Sequence, residues 1–200
     1  MFFRQHSILI FFVATLFLTF GCASSSSAPA EPTSQPADKK SSFDQREVRS
    51  AMTDYFGVTA EAAGSVVERI FRDLGEPNGY IYGSEGSVAI GVGLRYGKGT
   101  LQMADGGQHK VYWQGPSVGW DVGGNGSKVF TLVYNIKNSE QIYQRFPGVE
   151  GSAYLVAGMG VNYQRSNTVT LAPIRTGVGL RLGANVGYLS YSKKRRYIPL

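Results

Sequence analysis

The side chains able to do chemistry are few. The 200-residue chain holds one cysteine, Cys22, and two histidines, His6 and His109. One cysteine forbids an internal disulfide and a cysteine-based zinc site, and two histidines rule out a multi-histidine metal centre. No metal or cofactor is expected. Gly123-Gly124-Asn125-Gly126-Ser127-Lys128 suggests a phosphate loop, but it lacks the Gly-x-x-x-x-Gly-Lys-Ser/Thr spacing and lies among strand patterns. It reads as a bulge or turn. Ser190-Tyr191-Ser192-Lys193 matches Ser-x-x-Lys, yet that motif opens a helix, and here it ends a strand. His109 is placed in an exposed turn over residues 105–110 without a nucleophile near it. Glu85, Asp105 and Asp121 are too scattered to form an acid/base pair. No catalytic residue is assigned, and the chain reads as a non-enzyme.

Two features remain. Cys22 follows Leu18-Thr19-Phe20-Gly21, which is similar to a lipobox in which the cysteine is acylated. Gly21 fits that pattern; Thr19 and Phe20 depart from the usual aliphatic and small residues. The alternative is ordinary cleavage after Ala23 or Ala30, which discards the cysteine. Upstream, Arg4 precedes an apolar run over residues 8–20, the length of a signal-peptide core and short of the roughly 20 residues that span a bilayer. Residues 23–42 are rich in Ser, Pro and Ala, the composition of a flexible tether. An exported chain seldom meets nucleic acid, so nucleic acid is not an expected partner.

The second feature is Lys193-Lys194-Arg195-Arg196. It ends an uneven charge distribution: residues 1–76 carry 7 basic and 9 acidic side chains, a net of −2, and residues 77–200 carry 13 and 5, a net of +8. No acidic residue follows Glu150. A one-signed end suits an anionic partner such as lipid headgroups or a glycan, although a solvated tail would look the same. The neighbouring Tyr188, Tyr191 and Tyr197 suit a membrane interface or a core edge.

The elements that position these groups are helical first, then β. Ser42 is placed as the cap of a helix running to Phe56 and stopped by Gly57. Thr59 caps a second helix, in which Ala63, Val66, Val67, Ile70, Phe71 and Leu74 form one apolar stripe. Its mixed-sign polar face favours packing on its own domain over a membrane surface. From Gly79 onward lie 22 of the 26 glycines, and strand alternation takes over at 87–96, 153–163 and 177–191. Residues 129–134 are apolar on both faces, as in a strand buried on both sides. Glycine weakens strands, so its repeated placement on one face implies tight sheet curvature or close approach of another layer.

The segments Gly93–Leu101 (GLRYGKGTL), Tyr112–Asn135 (YWQGPSVGWDVGGNGSKVFTLVYN), Gln144–Tyr154 (QRFPGVEGSAY) and Leu171–Leu189 (LAPIRTGVGLRLGANVGYL) resemble the envelope integrity protein A family. The resemblance runs from about Thr59 to Tyr191. It implies a small periplasmic β-barrel that supports envelope integrity, and it supplies no catalytic residues. Cys22 and the tether depart from a freely diffusing periplasmic protein. Gly119–Asn135 is more faintly similar to the lipid-binding SYLF domain.

The expectation is therefore mainly β: a small, soluble, strongly curved antiparallel barrel with one or two N-terminal helices packed against it. Residues 1–22 form the export signal, 23–42 a tether, 43–77 the helices and 78–200 the barrel. The expected function is support of the periplasmic envelope, with a membrane anchor at Cys22 and a lipid or other apolar ligand. Docking on cell-wall glycan or envelope proteins through Lys193, Lys194, Arg195 and Arg196 is the alternative, and an unrecognised hydrolase the third reading.

Overall fold

A computed structural model describes residues 40–122, 127–176 and 187–196. Cys22, the export signal, tether residues 23–39, residues 123–126 of the expected bulge or turn, the 177–186 part of the last expected strand and Tyr197 lie outside the described residues.

Helix α1 (Gln45–Phe56) starts at Asp44, not Ser42. The Asp44 carboxylate accepts from Glu47 N at 2.9 Å, and Glu47 Oε2 accepts from Asp44 N at 2.9 Å. Two carboxylates in this reciprocal box suit the positive helix end better than a neutral Ser42. Ser42 instead donates to Glu76 Oε2 at 2.6 Å. Gly57 closes α1 in the left-handed conformation. Helix α2 (Ala60–Leu74) is capped by Thr59, as its sequence predicts. Ala63, Val66, Val67 and Ile70 of its stripe are fully buried in one cluster with Phe130, Leu132 and Ile174 of the sheet, and Phe71 and Leu74 are partly buried beside them. No helix of the described residues is long and apolar enough to cross a membrane.

Among the described residues, the sheet has nine antiparallel strands: β1 (Gly79–Met103), β2 (Gln108–Val122), β3 (Ser127–Tyr134), β4 (Arg145–Pro147), β5 (Tyr154–Val156), β6 (Met159–Val161), β7 (Gln164–Ser166), β8 (Val169–Arg175) and β9 (Tyr188–Ser192). Their order is β4-β9-β2-β1-β3-β8-β6-β5, with β7 also on β8. A bridge between Gly148 and Gln164 joins the end of β4 to β7 and closes the ring. The fold is thus mainly β and barrel-like, with both helices laid on one side.

β1 serves two partners. Its first part pairs with β3 and its later part with β2. A straight strand of this length would reach roughly 80 Å. Instead Ala104 N donates to Asn78 O at 3.0 Å, so the two ends of β1 meet. The fold-back brings backbone onto backbone: a Cβ on Gly83 would overlap the Lys98 carbonyl, and one on Gly99 the Tyr82 carbonyl. Glycine at these two positions permits the close approach of backbone to backbone.

β3 is buried on both faces, as its sequence predicts. Val129 and Val133 face the barrel interior, and Phe130, Leu132 and Tyr134 face the helices. Two local expectations change. Residues 153–163 form the β5–β6 hairpin instead of one strand, because Ala157 (φ 47) and Gly158 (φ 76) are both left-handed and turn the chain in two residues. His109 lies within β2, opposite Leu101. The turn is tighter than expected: Met103 N donates to Gly107 O at 2.8 Å, and Asp105 Oδ1 accepts from Gly107 N at 3.0 Å.

Candidate functional site

Strand parity builds the site. On β1, Ile81, Gly83 and Glu85 take alternate positions, so the parity that buries Ile81 also sends Glu85 inward. β3 and β8 run alongside, and Val129 stands opposite Arg175. The Glu85 carboxylate is 5% exposed. Arg175 Nε donates to Glu85 Oε1 at 2.7 Å, and Arg175 Nη1 donates to Asn162 Oδ1 at 2.8 Å. Trp113 Nε1 donates to Glu85 Oε2 at 3.1 Å, and Arg95 Nε lies 3.6 Å from Oε1. One carboxylate therefore ties both parts of β1 to β2 and β8.

Burial acts to raise the Glu85 pKa, but the charges of Arg175 and Arg95 and the hydrogen bonds from Arg175 and Trp113 outweigh it, leaving it below the usual glutamate value. The Trp113 indole lies across Gly97, where any Cβ would overlap the ring. Tyr191 packs behind it, 5.8 Å between ring centroids, and burial pushes its phenol well above the ordinary value.

An ionised carboxylate held by two guanidinium groups is a poor base, acid or nucleophile. His109 does not join it. His109 pairs with Leu101 while Arg95 pairs with Gly115, six register steps or roughly 20 Å further along the hairpin. Among the described residues, no three His, Cys, Asp or Glu side chains are grouped to hold a metal.

A pocket of about 230 Å³ opens beside this network. Its walls include Glu85, Gly97, Trp113 and Gln114, with the hydroxyl-bearing Ser84, Tyr96, Tyr112 and Ser192 around them. Lys98, Arg195 and Arg196 supply three cations to its lining. The pairing explains the gathering: Lys98 stands opposite Tyr112, which stands opposite Ser192, so one row crosses β1, β2 and β9 and leads into the C-terminal segment.

The four-residue basic cluster is divided by this geometry. Arg195 and Arg196 reach the pocket, but Lys193 Nζ bonds Glu140 Oε1 at 2.7 Å and sits over the Tyr143 ring. Lys194 is exposed, and its carbonyl accepts from Ser192 Oγ at 2.7 Å. Tyr191 belongs to the core, and Tyr188 stacks on the Arg145 guanidinium. Cys22 lies outside the described residues. Sequence reasoning passed over Lys98, and over Glu85 with Arg175 as a pair 90 residues apart. The parity of Ile81, Gly83 and Glu85 could have placed Glu85 inward; nothing local names its partners.

The interior beyond the charged network is filled by Ile81, Leu101, Val111, Phe146, Leu171 and Leu189, all nearly or fully buried. Together they form one apolar core cluster.

A family model described as envelope integrity protein A matches residues 41–200. The crystal structure of a beta-barrel-like, uncharacterized protein from Brucella abortus is similar over 80% of this chain and 99% of its own, at 48% identity and a TM-score of 0.73. No curated protein matches the chain. The family match spans both helices, the folded-back β1 and the strands that carry Glu85, Trp113 and Arg175, and the chain belongs to the envelope integrity protein A family.

Proposed function

We propose that the protein is a non-enzymatic periplasmic module that supports the cell envelope by docking on an anionic envelope component, while an acyl chain on Cys22 holds it near a membrane. The observation that carries this reading is the pocket lining. Lys98, Arg195 and Arg196 gather there, and the carboxylate beside them, Glu85, is already neutralised by Arg175 and Arg95. The local field thus favours an anion. A closed ring stapled across its charged end is a rigid platform for such contact.

The test is retention of the full-length protein on washed envelope fractions as salt is raised. Lys98→Ala/Arg195→Ala/Arg196→Ala should elute at lower salt with a shallower salt dependence, because fewer counterions are exchanged. Lys193→Ala, whose ammonium serves Glu140, should behave as wild type. Equal retention of the triple variant and wild type would remove this reading.

A further inference from the structure

We infer that the pocket between β1, β2 and the C-terminal segment binds a single anionic sugar ring, one bearing a carboxylate or a phosphate. The inference rests on the docking reading above and gives it a ligand class. Three properties of the lining lead to it. Lys98, Arg195 and Arg196 favour an anion, and an arginine fork matches the paired oxygens of a carboxylate or phosphate. Ser84, Tyr96 and Tyr112 add hydroxyls, which suit a polyol better than an acyl chain. The volume, about 230 Å³, falls below the roughly 300–1,000 Å³ of pockets that enclose drug-sized ligands. It suits one ring and not a chain.

The floor supports the same class. Glu85 is held by Arg175, Arg95 and Trp113, so its charge is spent within the protein and does not repel an incoming anion. Trp113, nearly fully buried, is pinned between Gly97 and Glu85 and gives the lining a rigid base. A preformed lining of this kind binds with little ordering cost. Its indole N–H also gives the pocket a spectroscopic reporter.

The experiment is calorimetric titration of the full-length protein with glucose 1-phosphate, glucuronate, glucose and inorganic phosphate, run in parallel with the Trp113 indole N–H resonance. Glucose 1-phosphate and glucuronate should bind and move that resonance. Each should bind at least tenfold more tightly than glucose or phosphate, and lose about tenfold or more in Lys98→Ala and in Arg196→Ala. Unchanged urea midpoints in those variants would show that the fold is intact. Phosphate binding as well as glucose 1-phosphate would reduce the pocket to a bare anion site and overturn the inference, as would equal binding of glucose. If neither anionic sugar binds while the triple variant still loses envelope retention, the docking reading stands and the sugar assignment falls.

Discussion

The barrel interior has two ends built on different principles. At one, Ile81, Leu101, Val133, Phe146 and Leu171 fill the space with apolar volume, and each contact is backed by several others. At the other, Glu85 depends on Arg175, Arg95 and Trp113, and removing one partner leaves charge without compensation. An apolar core loses stability in proportion to volume removed; a buried charge network fails by steps. The difference teaches where a site can be placed. Side chains that recognise a ligand must keep polar atoms near the surface, and the charged end provides that while the packed end supplies the rigidity.

The comparison breaks most sharply at Arg175. Arg175→Met leaves Glu85 buried with the Trp113 indole N–H and, as its ionic partner, only the more distant Arg95, and should cost about 3–5 kcal/mol by urea denaturation. Glu85→Met/Arg175→Met should cost less than Arg175→Met alone, because the orphaned charge goes with its partner and Arg95 is partly exposed. A double variant as damaged as the single one would show that packing, not charge, holds this end. At the packed end, Leu171→Ala should cost about 2–5 kcal/mol, with no such rescue by a second substitution. Between the two, Gly97→Ala drives a methyl into the Trp113 indole and should cost about 1–3 kcal/mol, with an altered Trp113 environment in near-ultraviolet circular dichroism.

The smallest effect is a pH dependence. Glu85 titrates below the ordinary 4.5 in the folded protein, so folding favours its ionised form. Its contribution is complete above that unfolded value and is lost as the pH falls through the lower folded one. The stability gap between wild type and Glu85→Gln should therefore be widest near neutrality and narrow below about pH 4.5. A gap that stays constant into acid would assign the loss to geometry instead of charge.

Much of the packed end was legible in the residues themselves. The β3 pattern announces two buried faces and the α2 stripe announces its packing, while much of the glycine alternation, at 177–186, lies outside the described residues. The charged end was less legible for a physical reason. Its partners are set by register between strands far apart in the chain, and a lone Glu85 among glycine and serine carries no trace of Arg175. The same holds for the basic cluster. Four consecutive cations look alike in sequence, yet one row of cross-strand pairs sends Arg195 and Arg196 to the pocket, while Lys193 turns to Glu140. His109 and the 153–163 segment depart from their sequence pattern for a smaller reason: the Met103–Gly107 and Ala157–Gly158 turns are tighter than composition implies.

The central claim is that one end of the barrel carries recognition while the other carries stability. It is tested most directly by envelope retention against salt, measured side by side for Leu171→Ala and Lys98→Ala/Arg195→Ala/Arg196→Ala below their unfolding midpoints. Leu171→Ala, though less stable, should be retained like wild type, whereas the triple variant, as stable as wild type, should elute early. Early elution of Leu171→Ala together with normal retention of the triple variant would contradict it.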